Sequence, residues 1–177
     1  DAAAYVLLEA NSGQVLASAN ADVQRFPAST TKIMTLVLAL EAVERGDVSL
    51  DDQVTTSEYA ASMGGSQVFL EVNEQMSVRD MVKSICIASA NDAMVAMAER
   101  VGGTHEGFVQ MMNDKAKELQ LNDTHFVNAT GLHDPQHYTS AYDMAFIAQA
   151  LVKEGGDELL EITSTYDAYI RESGENK

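Results

Sequence analysis

The stretch "FPASTTKIMTLVLALEAVERG", residues 26–46, decides the fold. After Pro27 the pattern predicts a helix over residues 30–45, and Gly46 stands at the C′ position where a glycine ends a helix. Ile33, Met34, Leu36, Val37, Leu38, Leu40 and Val43 cover nearly every face. A helix that is apolar all round is a central one, buried by its neighbours. Lys32 nevertheless stands at its mouth, three residues after Ser29. Residues at that spacing share a helix face, so Ser29 Oγ and Lys32 Nζ can meet. A serine hydroxyl is a poor nucleophile until a base takes its proton, and a lysine amine serves as that base when desolvation lowers its pKa. The apolar helix supplies the desolvation, and helix N-terminal amides favour the negative charge that develops at an attacked carbonyl.

Taken alone, Ser-x-x-Lys is also the pattern of a capping serine followed by a solvated lysine. Two features give it weight. The helix dipole disfavours a lysine in a first turn, and Ser89-Ala90-Asn91 follows sixty positions after Ser29, where the helical pattern breaks. A second serine and an asparagine at a helix break could hydrogen-bond the lysine, relay a proton to a leaving amine and hold a substrate amide. Ser89 by itself reads as a cap; the two motifs together point to an acylating serine.

Around this centre the chain predicts an α+β organisation within one domain. Two apolar-rich segments, residues 5–9 and 14–18, are joined through Asn11-Ser12-Gly13 and read as a β-hairpin. Ser77-Val-Arg-Asp80 resembles a capping box for a helix carrying Met81, Val82 and Ile85. Further helices are predicted over residues 92–100, after a Thr104 cap with Phe108, Met111, Met112 and Leu119 on one face, and over residues 141–153, capped by Thr139 or Ser140 and stopped by Gly155-Gly156. "STYDAYIRE", residues 164–172, reads as the start of a strand.

Composition narrows the function classes. The chain has 177 residues, 46% of them hydrophobic and 21% charged, within the range of globular proteins. A net charge of −16 with eleven thinly spread basic residues argues against nucleic acid as a partner. No apolar run approaches the ~18 residues a transmembrane helix needs, and no signal-peptide pattern is present, so an exported protein would have lost its signal. Cys86 is the lone cysteine and reads as core.

The motifs sit in a longer pattern. "FPASTTKIMTLVLALE", "GGSQVFLEVNEQMSVRDMVKSICIASANDAMVAMAE", "FVQMMNDKAKELQLNDTHFVNATGLHDPQHYTSAYDMAFIAQALV" and "YDAYIRE" resemble the serine D-alanyl-D-alanine carboxypeptidases of low molecular mass, penicillin-binding proteins of peptidase family S11. The resemblance covers essentially the whole chain, apart from Tyr142, where family members often carry a basic residue. It implies a transpeptidase-like fold, a helical lobe packed on an antiparallel sheet. Ser29 would be the acyl-enzyme nucleophile and Lys32 its general base. Ser89 would pass a proton between Lys32 and the leaving D-alanine, and Asn91 would hold Lys32 and the substrate backbone. The substrate would be a peptidoglycan stem peptide ending in D-Ala-D-Ala, and β-lactams would be covalent inhibitors. The setting would be extracytoplasmic, with no metal or organic cofactor.

The family's third motif, Lys-Thr-Gly, occurs nowhere in the sequence. The resemblance places it on a strand after residue 177, together with any membrane anchor. Residues 1–177 are therefore expected to be part of a catalytic domain, impaired in independent activity and prone to self-association through an unpaired sheet edge. "ELQLN", residues 118–122, spells the ExxLN pattern of class A β-lactamases, but Leu119 continues the Met112 face, so a helix end is the reading. A class A-like β-lactamase remains the enzymatic alternative, and a non-catalytic cell-wall binding module on the same scaffold the other. His133 and His137 have the spacing of helix-borne zinc ligands, but Pro135 between them breaks such a helix and makes them loop residues.

Overall fold

Helix α1, Lys32–Glu44, organises the computed structural model, which describes residues 2–171. Met34, Leu36, Val37, Leu38, Ala39 and Ala42 are buried on several of its faces at once. This is the central position that its sequence predicts, and α1 packs against α4, Asn91–Gly102, α5, His105–Glu118, and α6, Ala141–Thr163. Expected as one helix from residue 30, the segment instead begins with a 3-10 turn, Ala28–Thr31, and becomes α-helical at Lys32.

The N-terminal hairpin forms close to its predicted bounds, β1, Tyr5–Leu8, pairing antiparallel with β2, Val15–Ala19. Gly13 takes φ +71° in the turn, as the pattern requires. Helix α6 packs on β1, and Gln149 Nε2 donates to the Ala10 carbonyl at 2.6 Å. Tyr5, Leu7, Val15 and Leu16 remain exposed. A second hairpin, β3, Gln53–Thr55, with β4, Gln75–Ser77, encloses the short helix α2, Glu58–Ala61, and has no counterpart in the predicted elements. Together these elements bear out the α+β class.

Helix starts follow their caps. Ser77 Oγ accepts from the Asp80 N–H at the start of α3, Val78–Ala88, although Asp80 turns its carboxylate to Lys83 rather than back to the cap. Thr104 accepts from the Gly107 N–H at 2.9 Å. Of the two candidates for α6, Ser140 caps it and Thr139 instead pairs with Arg25 in an isolated bridge.

At the C-terminal side one expectation holds and one fails. Gly155-Gly156 does interrupt the helix: Gly156, at φ +49° and ψ −147°, is non-helical, and a second helical segment, absent from the predicted elements, follows it to Thr163. Residues 164–171 form no strand among the described residues, and residue 172 of the predicted strand lies outside them. Leu159 and Ile162 explain the continuation, because both are buried and so give the second segment an apolar face to dock.

Helices α4 and α5 approach too closely for a side chain at their junction. A Cβ on Gly102 would lie 2.5 Å from the Phe108 amide nitrogen. Gly102→Ala is therefore expected to destabilise the fold by about 1–3 kcal/mol through overpacking, even though alanine is the better helix former by about 1 kcal/mol. Urea unfolding measures it, and an unchanged or raised midpoint would contradict the close approach.

Candidate active site

Ser29 lies in the 3-10 turn, exposed, while Lys32 begins α1 and is 4% exposed. In a 3-10 turn residues i and i+3 eclipse, so the departure from an ideal α-helix brings the two side chains together: Lys32 Nζ donates to Ser29 Oγ at 3.2 Å. Nζ also donates to the Thr130 carbonyl at 3.1 Å. Burial lowers the Lys32 pKa from 10.5 to about 8. The ammonium form donates to Ser29; the neutral amine, at the same separation, can accept the hydroxyl proton. Ala28, just before Ser29, holds φ +49°, a left-handed conformation that costs an alanine about 1 kcal/mol or more.

The second motif lies at the junction of α3 and α4. Ser89 ends α3 in the left-handed region, at φ +53° and ψ +37°, and Asn91 begins α4. Asn91 Nδ2 donates to the Gly64 carbonyl at 2.7 Å, and its backbone N–H donates to the Ser66 carbonyl at 2.7 Å. A Cβ on Gly65 would lie 2.8 Å from Asn91 Nδ2, so the glycine pair lets the loop reach the asparagine. Asn91 Oδ1 is buried with no hydrogen-bond partner. Among the described residues, neither Ser89 nor Asn91 hydrogen-bonds to Lys32. The structure thus joins Ser29 and Lys32 directly and sets Ser89 and Asn91 together at the break between α3 and α4.

Several groups that shape the site carry no motif. Thr130 supplies the carbonyl that receives the Lys32 ammonium. Asn128 Oδ1 accepts the N–H groups of Thr130 and Gly131, at 3.2 and 2.7 Å, and so folds that turn. Gly131, at φ +86°, presses on the nucleophile's turn: a Cβ there would meet the Ala28 carbonyl oxygen at 1.8 Å. The Asn-x-x-Gly of "NATG" was the available signal, a turn pattern in a segment otherwise read as irregular.

The decoys resolve on geometry. His133 is exposed and stands edge-on to the Phe26 ring, at 4.6 Å between centroids, whereas His137 is buried against Thr31, so the two share no ligand site. No cluster of three metal-ligating side chains occurs among the described residues. Glu118 ends α5 and pairs with Lys115, which also binds Glu41. Glu41 lies nine residues along α1 from Lys32, about 13 Å at 1.5 Å per residue, so the Glu118 carboxylate sits at the far end of the helix from Ser29. The Cys86 thiol is pushed up to about 11 by burial and is unreactive as a thiolate.

Comparison with known proteins identifies the family. The family model described as D-alanyl-D-alanine carboxypeptidase, peptidase family S11, matches residues 1–176. The chain is 50% identical over 177 residues to the D-alanyl-D-alanine carboxypeptidase DacF of Bacillus subtilis, covering all of this chain and 45% of that protein. It is 40% identical over 164 residues to DacC of Escherichia coli, covering 89% of this chain and 41% of that one. Penicillin-binding protein 6B of Escherichia coli superposes with a TM-score of 0.90 at 36% identity, over 95% of this chain and 55% of that structure. Penicillin-binding protein D2 of Listeria monocytogenes, solved in an ampicillin-bound form, superposes at 0.82 with 28% identity, over 97% of this chain and 69% of that structure. The chain belongs to the D-alanyl-D-alanine carboxypeptidase family S11, and it spans less than half the length of these curated relatives.

The buried lysine carries a consequence for stability. Its folded pKa, about 8, lies below the unfolded 10.5, so between these values the unfolded chain binds more protons and stability rises with pH. Below about pH 8 the charge imposes its full penalty, about 3 kcal/mol at 1.36 kcal/mol per pH unit. Lys32→Met removes that penalty and leaves the Thr130 carbonyl without its donor, a loss of about 1 kcal/mol. The variant is expected to unfold at higher denaturant than the wild type at pH 7, by about 1–2 kcal/mol, with the advantage shrinking as the pH rises toward 10.5. Equal or lower stability at pH 7 would mean the ammonium is no burden.

Proposed function

We propose that this chain carries the acylating centre of a serine D-alanyl-D-alanine carboxypeptidase. The observation that carries the reading is the 3.2 Å contact between an exposed Ser29 Oγ and a buried Lys32 Nζ whose pKa is lowered to about 8. Lys32, once neutral, takes the Ser29 proton as Oγ attacks the carbonyl of the penultimate D-alanine. The carbonyl carbon gains a bond to Oγ, its bond to nitrogen breaks, and the proton passes from Lys32 through Ser89 to the leaving amine, releasing D-alanine. Asn91 holds the substrate backbone through its open acceptor. Water then hydrolyses the ester and regenerates Ser29. A penicillin, whose strained amide resembles the acyl-D-Ala-D-Ala end, acylates the same oxygen. Peptidoglycan stem peptides place the protein outside the cytoplasmic membrane, and no helix among the described residues is long and apolar enough to cross one.

The position of Glu118, at the far end of α1, favours this reading over a class A-like β-lactamase. The close Ser29–Lys32 contact favours it over a non-catalytic cell-wall module, which has no use for a buried ammonium. Lys-Thr-Gly and its strand belong, on this proposal, to sequence after residue 177. The exposed Tyr5, Leu7, Val15 and Leu16 of the hairpin support further sheet strands being placed there.

Intact-mass measurement after incubation with benzylpenicillin tests the proposal. The full-length protein is expected to gain one penicilloyl group, Ser29→Ala none, and the acylation rate to rise with pH through about 8. An adduct that survives Ser29→Ala, or none on the full-length protein, would refute it. Residues 1–177 measured alone report whether the third motif is needed for acylation.

A further inference from the structure

The loop over residues 127–131 forms no strand or helix, yet it delivers the carbonyl on which Lys32 rests. Its backbone is fixed from outside by two imidazoles. The Val127 N–H donates to His137 Nδ1 at 3.1 Å, and the Ala129 N–H donates to His105 Nε2 at 3.3 Å. Acceptance at Nδ1 puts the His137 proton on Nε2, and that N–H donates to Thr31 Oγ1 at 2.7 Å. Thr31 lies between Ser29 and Lys32 and is fully buried. One ring therefore grips both the turn that carries the nucleophile and the loop that holds the base, across 106 positions of sequence.

We infer that His137, with His105 as a second attachment, is a positioning residue for Lys32: it locks the 127–131 loop so that the Thr130 carbonyl stays on the lysine. The inference rests on Lys32 being the base for Ser29. Only a neutral imidazole can accept an N–H, and the surroundings keep both rings neutral. His137 is 2% exposed and pushed down to about 4 by burial, against an opposing effect of Asp134 and with a smaller lowering contribution from His125. The Phe126 ring stands edge-on to it at 5.6 Å. Burial likewise lowers His105, which faces Tyr59, against opposing effects of Glu106 and Glu99. Lys32 itself faces the Ser29 hydroxyl and the Thr130 carbonyl, and its lowered pKa comes from burial alone. A loosened loop would admit water to Nζ and raise that pKa toward its ordinary value.

The test is the pH dependence of benzylpenicillin acylation in the full-length protein, from about pH 6 to about pH 10. In His137→Leu the limb due to Lys32 is expected to move up from about 8 by roughly one pH unit, so that the rate at lower pH falls about tenfold and partly recovers in alkali. His137→Gln, whose carbonyl accepts and whose amide donates, restores the wild-type limb. Thr31→Val removes only the hydroxyl, keeps the bulk, and moves the limb in the same direction, which covers a leucine variant that fails to fold. Limbs unmoved in both the leucine and valine variants, a loss of acylable protein and melting temperature without a moved limb, or a glutamine variant indistinguishable from leucine would each overturn the inference. A wild-type protein that is not acylated at Ser29 defeats the catalytic reading instead. Acylation at Ser29 with unmoved limbs defeats only this one.

Discussion

The burial of one ammonium governs the architecture around Ser29. Helix α1 is apolar on several faces and gains its stability from being enclosed by α4, α5 and α6. Enclosure takes Lys32 out of water along with its apolar neighbours. A buried charge without hydrogen bonds is prohibitively unfavourable, so an acceptor must come to it. The first turn of a helix exposes N–H groups and offers no free carbonyl. The acceptor therefore comes from a remote part of the chain, the Thr130 carbonyl, 98 positions away. That requirement accounts for the glycine at 131, whose backbone lies where any side chain would strike Ala28, and for the Asn128 turn that aims the carbonyl.

The α3–α4 junction solves a related problem with a different group. Asp92, fully buried, lies one residue after Asn91 and accepts the N–H groups of Val68, Leu70 and Ala93. Charge-assisted bonds from three backbone donors compensate the buried carboxylate. They also fix the loop that presents the Gly64 and Ser66 carbonyls to Asn91. The Asn91 amide is then pinned by its donor side, which leaves Oδ1 buried and open. An unpaired buried acceptor costs about 1–3 kcal/mol in the free protein.

Much of this was legible in the sequence because the signals were local. Helix α1, the N-terminal hairpin with Gly13 in its turn, and the caps at Ser77 and Thr104 follow from periodicity and from side chains that bond to residues two or three positions away. Ser29 and Lys32 were legible as a pair because three-residue spacing enforces proximity in either helix type. What failed depended on distant partners. Gly155-Gly156 was legible as a break, but the second helical segment beyond it was not, because it depends on the burial of Leu159 and Ile162. Residues 164–171 have strand propensity, but a strand exists only where another pairs with it. Thr130 could not be singled out at all, since its contribution is a backbone carbonyl, which every residue possesses. His137 was legible only as a loop residue, because spacing says nothing about which way a loop turns its rings.

On the proposed mechanism nucleophile and base make opposite demands on the same turn, and the 3-10 geometry reconciles them. Ser29 must stay accessible to an acyl group, and Lys32 must stay dry enough for its amine to lose a proton near neutrality. On an α-helix, neighbours three apart lie side by side and share much the same exposure. In the tighter 3-10 turn they stack along the axis, so one can stand at the solvent-facing end while the other lies a turn deeper in the protein. The left-handed backbone at Ala28 belongs to that arrangement, because it directs the chain into the turn from outside the helix axis. The strain there and the buried charge at Lys32 both reduce stability. Both are tolerated because the apolar body of α1, enclosed by three other helices, is stable enough to hold its own first turn in a geometry that an isolated segment would not keep.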